Sequence, residues 1–224
     1  MPGVYRRADD LPLVIPVFPL DGALLLPGGQ LPLNIFEPRY LNMLDDVMSG
    51  ERMIGMIQTR PNGAGPEDEH GPSLAPIGCA GRVTSFAETA DGRYLVTLTG
   101  ICRFRAGAEL PARMPYRQVR ADYASFEADL REDGPSLEGV DPVPLLAALR
   151  RYLDHRGLAI DWTSAENAPS DALINSLSMA LPFDAMEKQA LLEAPTMADR
   201  RETLVALLEI DAAVSDDDEP PSIQ

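Results

Sequence analysis

Side chains able to carry out chemistry are scarce in this chain, which has two histidines, two cysteines and, at position 188, its one lysine. A Ser-His-Asp arrangement would have to recruit His70 or His155. His70 ends the run PEDEH inside a Gly/Pro-rich stretch that reads as an exposed loop, a poor platform for a positioned base. His155 closes a predicted helix, where a cation favours the negative end of the dipole. Cys79 and Cys102 fall in predicted strands and read as small buried hydrophobes, and two cysteines make no disulfide framework in a chain of this size. No two of these four residues show metal-ligand spacing. The runs Glu67–His70 and Asp216–Glu219 read as solvated acidic segments. No GxxxxGK[ST] occurs and no GxGxxG follows a strand, so no nucleotide or dinucleotide cofactor is expected. Lys188, in the segment EKQALLE, reads as a solvated residue on a helix surface. The expectation is a chain without catalytic residues, metal or cofactor.

The bulk numbers are those of a globular protein: 224 residues, 45% hydrophobic and 24% charged. The net charge of −16 is lopsided. Residues 1–126 hold 12 arginines and 14 acidic residues, whereas residues 127–224 hold 7 basic and 21 acidic ones. Nucleic-acid binding draws most of its affinity from phosphate neutralisation, so this balance counts against it. The longest apolar stretch, Leu11–Leu20, is short and broken by Pro12, Pro16 and Pro19, so no membrane span is expected. Asp9 and Asp10 follow Arg6 and Arg7 at once, unlike a signal peptide, and a cytoplasmic location is the default.

Up to Phe126 the pattern is strands and turns around one helix. Leu31, Leu33 and Ile35 alternate with Gln30, Pro32 and Asn34, the period of a half-buried strand. Pro38 then fits the first turn of a helix over 37–49, with Tyr40, Leu41, Leu44, Val47 and Met48 at helical spacing and Gly50 as the stop. Met53–Gln58 reads as a buried strand and Pro61–Pro76 as an exposed loop. Ile77–Glu88 and Arg93–Arg105 read as a hairpin about a two-residue Asp91-Gly92 turn, with Tyr94, Val96 and Leu98 sharing a face with Val83 and Ala87. Tyr116–Phe126 reads as a further strand. Six or so short strands would have to curl into a barrel to hide their edges. Beyond a linker at 127–143 the period becomes helical: Leu145, Leu146, Leu149 and Leu153 form one stripe, and Leu173, Ile174, Leu177 and Leu181 a second, capped at Ser170.

Three stretches, in order, resemble one family. IPVFPL with LLLPGGQLPL and IFEPRY opens it; GCAGRVTSFAETADGRYLVTLTGICRFR continues it; LINSLSMALPFDAMEKQALLEAPTMADRRETLVALLE closes it. Together they look like the N-terminal, substrate-binding domain of the Lon protease, here in a stand-alone form without the ATPase and protease domains. The resemblance implies an α+β fold: a PUA-like β pseudo-barrel with one helix, followed by a small all-α helical domain. The expected division is an N-terminal arm at 1–10, the Lon-N-type β-domain at 11–126, the linker at 127–143, a helical domain at 144–212 and an acidic disordered tail at 213–224.

A non-catalytic, protein-binding module is therefore expected, taking unfolded or client polypeptides and assisting proteolysis, with a protease or chaperone as the further partner. The alternative is an RNA-binding PUA-like protein, against which the charge counts. Phe36, Glu37, Arg39 and Tyr40 are the candidate substrate-binding residues. Arg39 is misplaced at a helix start unless it pairs with Glu37, and Tyr40 can pack its ring while presenting its hydroxyl. The competing reading is that this segment only locks the helix onto the barrel. Met43, Met48, Met53 and Met56 suit adaptable apolar recognition, although methionine at helical or strand spacing is more often core.

Overall fold

In the computed structural model the first part of the chain is a curled sheet of six strands: β1 (Val14–Pro19), β2 (Gln30–Ile35), β3 (Met53–Ile57), β4 (Ile77–Glu88), β5 (Tyr94–Glu109) and β6 (Gln118–Asp122). The structure describes residues 5–60, 72–131, 134, 136–137 and 140–216. The strand order is β2-β5-β4-β3-β1-β6, and a second pairing of β5 with β6 closes the ring. The length of β5 makes this closure. Its first residues lie opposite β2, Tyr94 facing Ile35, and its last ones reach β6, Arg105 facing Asp122. Closure hides the edges of the ring β5-β4-β3-β1-β6 and leaves β2 outside it. Strands β1 and β3 run parallel, and α1 (Pro38–Met48) lies between β2 and β3 in the chain. Strand β2 keeps one free edge, where Pro32 has no N–H to offer an added strand.

The LLLPGG turn is stitched to the barrel at Gly100. Gly28 N–H donates to the Gly100 carbonyl and Gly100 N–H to the Gly29 carbonyl, both at 2.9 Å. A Cβ on Gly100 would lie 2.1 Å from the Leu26 carbonyl oxygen, so only glycine allows this approach, and Leu24, Leu25 and Leu26 are buried behind it.

The hairpin differs from the sequence expectation. Residues 89–93 form the loop, closed by Thr89 N–H to the Arg93 carbonyl, and of its central residues only Gly92 is left-handed (φ +79). A bulge between Val83 and Ser85 adds one residue, so Phe86, not Ala87, faces Val96. Cys79 faces Arg103 across the β4–β5 ladder while Cys102 faces Ala80, so the two thiols point to opposite sides of the sheet, both buried and not joined in a disulfide. Of the stretch read as an exposed loop, residues 61–71, with His70 and the acidic run before it, lie outside the described residues. Leu74 and Ala75 are buried, held by Ala75 N–H to the Gln58 carbonyl.

The helices are α2 (Pro142–Arg156), α3 (Trp162–Asn167), α4 (Ser170–Ala180), α5 (Ala185–Glu193) and α6 (Met197–Asp216). Two compact units result: Met1–Pro135 with Met179–Glu193, and Ser136–Ser178 with Ala194–Gln224. In the second unit α2 and α6 pack together through the expected stripe, with Leu145, Leu149 and Leu153 buried and Asp141 capping α2 through Val143 N–H. Three boundaries move. Helix α5 belongs with the strands and not with the other helices. The expected linker starts too early, because a 3-10 segment, Ala124–Leu130, buries Phe126 and Leu130. Helix α6 continues to Asp216, inside the stretch expected as tail, and 217–224 lie outside the described residues.

One buried ion pair explains two of these moves. Arg103, 5% exposed on β5, donates to Asp129 through Nε at 2.9 Å and Nη2 at 2.8 Å, and Arg103 N–H donates to the same carboxylate. Its guanidinium lies 4.7 Å from the centre of the Phe126 ring, and its Nη1 donates to the Leu192 carbonyl in the last turn of α5. That carbonyl is one the helix cannot satisfy itself. Lys188, expected in solvent, is only 7% exposed: its Nζ donates to the Met179 carbonyl, and burial lowers its pKa.

Replacing Arg103 by Met leaves the Asp129 carboxylate charged in the interior, with the main-chain N–H of residue 103 in place of its guanidinium partner. We expect a loss of about 3–5 kcal/mol in urea unfolding, largely recovered when Asp129 is also made Leu. Burial, with the nearby Asp129 charge, pushes the Cys102 thiol well up. The folded state then keeps a proton that the unfolded chain releases above its ordinary thiol pKa of about 8.5, so stability falls as pH rises through that value. Between pH ~7.5 and ~9.5, Cys102→Ala should lose about 1 kcal/mol less than the parent chain.

Candidate functional site

Helix α1 begins where Pro38 fixes the first turn after Glu37. Its buried stripe, Tyr40, Met43, Leu44 and Val47, holds it on the barrel. Tyr40 is 6% exposed, edge-on to Phe18 with ring centres 4.3 Å apart, and Arg39 lays its guanidinium 4.6 Å from the centre of the same ring. Arg39 also pairs with Glu37, Nε to Oε2 at 3.0 Å, the partner expected from sequence.

Beside this first turn lies a cavity of about 420 Å³, within the range of ligand pockets. Arg39 and Tyr40 line it, facing Met114, Pro115, Tyr116 and Arg117 of the β5–β6 connection. Phe36 and Glu37 do not line it. Phe36 is 61% exposed and has the Arg93 guanidinium 5.7 Å from its ring centre. The structure therefore brings together two of the four sequence candidates.

The opposite wall escaped the sequence reading: LPARMP has neither helical nor strand period, and Tyr116 and Arg117, read as the start of a strand, lie before β6 begins at Gln118. Long-range bonds fix it. Tyr116 donates its hydroxyl to Asp46 on α1 at 2.7 Å, and burial together with this bond raises its pKa. Arg117 is clamped by Glu109, Nε to Oε2 at 2.9 Å with a second bond from Nη2 to Oε1, and donates to the Pro72 carbonyl at 2.8 Å. Two prolines bracketing Met114 were the signal available. Met114 is 44% exposed, while Met43, Met53 and Met56 are core residues.

Two arginines have their charge paired locally, Arg39 with Glu37 and Arg117 with Glu109, while the Asp46 carboxylate accepts the Tyr116 hydroxyl. The Tyr40 hydroxyl makes no hydrogen bond among the described residues and is not sealed from the cavity. Among the described residues no group of three or more His, Cys, Asp and Glu could hold a metal ion, and no helix is long and apolar enough to cross a membrane. A second hollow of about 290 Å³, lined by Gln58, Met186 and Gln189, has a saturated floor. Gln58 accepts from Gly22 N–H and donates to the Ala185 carbonyl and Gln189 Oε1.

Comparison with known proteins places this arrangement. Residues 14–209 match the model of the ATP-dependent protease La (LON) substrate-binding domain. The chain belongs to the LON substrate-binding domain family. It is 26% identical over 219 residues to Lon protease 2 of Myxococcus xanthus, covering 92% of this chain and 24% of that protein. With the Lon protease of Desulfosudis oleivorans it shares 33% identity over 98 residues, 43% of this chain and 12% of that one. The chain thus spans a quarter or less of the length of these relatives. Its fold matches the Lon N-terminal domain protein of Xanthomonas campestris at TM-score 0.60, with 22% identity over 86% of this chain and 97% of that one. The N-terminal domain of the Mycobacterium avium complex Lon protease matches at TM-score 0.58, with 15% identity over 88% and 98%. These neighbours share the α+β architecture described above, a β-rich fold with a helical part.

The Tyr116–Asp46 bond joins the cavity wall to α1. Tyr116→Phe should cost about 1.5–3 kcal/mol in urea unfolding, the range for a hydrogen bond to a charged group.

Proposed function

We propose that this chain is a non-catalytic recognition module that binds polypeptides in unfolded or partly unfolded form and helps a protease select them. Membership of a substrate-binding domain family is the observation that carries this reading. The cavity beside Arg39 and Tyr40 supports it: its mixed wall sets Met114, prolines and two tyrosine rings beside the polar groups of Arg39, Thr59, Arg117 and Gln118, which suits a polypeptide segment with both side chains and main chain to offer. The free edge of β2 is the less suitable surface, because Pro32 interrupts the donors an added strand would use. Of the sequence candidates, Arg39 and Tyr40 belong to the proposed surface; Phe36 and Glu37 stand outside the cavity and act, in this reading, at its approach. The remaining partner is a protease or chaperone of the same compartment, taken to be the cytoplasm.

Reduced, alkylated lysozyme tests the proposal. We expect it to bind the chain while native lysozyme does not, in a fluorescence anisotropy titration. Unfolded lysozyme is basic and this chain carries −16, so attraction between opposite charges must be separated from apolar recognition. At about 0.5 M salt, where screening cuts off within about 4 Å, binding should persist. Binding lost at that salt, or equal binding of the native protein, contradicts the proposal.

A further inference from the structure

We propose that the cavity beside α1 is a binding site for a small organic carboxylate. The Arg39 and Arg117 guanidiniums meet its single negative charge, and its apolar body lies against Met114 and the prolines. The inference goes beyond polypeptide recognition and does not rest on it.

The first support is the sign of the lining. Arg39 and Arg117 both line the cavity, and no Asp or Glu stands among the described residues that line it. Their partners, Glu37 and Glu109, stand outside the lining, so each ion pair turns its positive member to the cavity.

Unspent donors are the second support. A guanidinium has five N–H groups. Arg39 spends one on Nε and one on Nη2, both on Glu37, which leaves three. Arg117 spends Nε and Nη2 on Glu109 and Nη1 on the Pro72 carbonyl, which leaves two. Those bonds also fix Arg117, whose side chain is only 12% exposed, so little freedom is lost when an anion joins it. The Tyr40 hydroxyl, kept protonated by burial and without a partner among the described residues, adds one more donor. A lining with donors to give and no carboxylate to receive them suits an acceptor-rich, negatively charged group.

Charge and space narrow the class. Glu37 and Glu109, behind the arginines, already offset much of their charge, so a dianion would be repelled at short range where a monoanion is not. A phosphate monoester carries about −1.5 to −2 near neutral pH, whereas a carboxylate is singly charged and matches the planar guanidinium edge. The space of about 420 Å³ exceeds what one carboxylate fills. Met114, Pro19, Pro111 and Pro115 make up much of the remaining wall, and a proline has no N–H to give. A ring-sized apolar body fits against them.

Phenylacetate is the probe, titrated into the isotope-labelled full chain at low salt and followed by NMR shifts of the main-chain amides. Saturable shifts should appear at Arg39, Tyr40, Met114 and Tyr116–Gln118, with Kd on the order of 1 mM, ordinary for so small a ligand. Neutral phenylacetamide and cationic phenethylamine should bind at least about tenfold more weakly, the worth of hydrogen bonds to a charged group. Phenyl phosphate should bind no more tightly than phenylacetate. Arg39→Gln, at a side chain more than half exposed, should weaken phenylacetate by about five- to tenfold. Glu37→Gln should tighten it by about threefold, because it releases Arg39 from its present partner. Thermal unfolding checks that both variants fold, and Glu37→Gln decides the matter if Arg39→Gln does not. An ion pair that only held the helix start would not give opposite effects. The inference is overturned by the absence of saturable shifts at these residues, by phenylacetamide binding as tightly as phenylacetate, or by phenyl phosphate binding more tightly. Unchanged affinity in either folded variant overturns it too.

Discussion

The buried pair of Arg103 and Asp129 is the contact on which the first unit depends. A guanidinium placed in the middle of a barrel strand is unfavourable unless each of its donors is used. Here the fork meets a carboxylate through two of its nitrogens, stacks on Phe126 and spends Nη1 on the open carbonyl of Leu192. Three segments far apart in sequence, β5, the 3-10 turn after β6 and the end of α5, are thereby held at one point. A hydrophobic residue at 103 would pack but would specify no partners, and this pair illustrates a buried charge that fixes which segments meet.

From that point the route to the cavity is short. Strand β5 closes the barrel by pairing with β6, and the connection between them carries Met114, Tyr116 and Arg117. Closure brings this connection opposite the first turn of α1, and the Tyr116–Asp46 and Arg117–Glu109 bonds hold it there. The cavity is thus a product of barrel closure, made by an irregular segment facing a helix start.

Much of this was legible in the residues, and the failures have definite causes. Proline at the first helical position and the Tyr40–Val47 stripe located α1 within a residue or two; β4 was read at its observed bounds through the hairpin signal at Asp91-Gly92, although the loop is longer than two residues. The facing of Phe86 was missed because the bulge after Val83 leaves no mark in hydrophobic period. Helix α5 was grouped with its sequence neighbours because its attachment to the barrel runs through contacts about ninety residues apart, such as Arg103 with Leu192. Lys188 looked solvated because a lone lysine on a helix nearly always is, and only the Met179 carbonyl shows why this one is not. At the site, Arg39 and Tyr40 were visible through the oddity of a cation at a helix start. The wall opposite was missed because tertiary bonds shape it: LPARMP carries no period, and Tyr116 and Arg117, read as strand, are drawn out of it by Asp46, Glu109 and the Pro72 carbonyl.

The central claim is that polypeptide recognition resides in the cavity between α1 and the β5–β6 connection. Hydrogen exchange read by mass spectrometry, with and without bound unfolded lysozyme, tests it most directly. The account predicts slowed exchange in two stretches, residues 39–43 and 112–118, with α2 and α6 unchanged. Protection confined to α2 and α6, or to β2 alone, would contradict it.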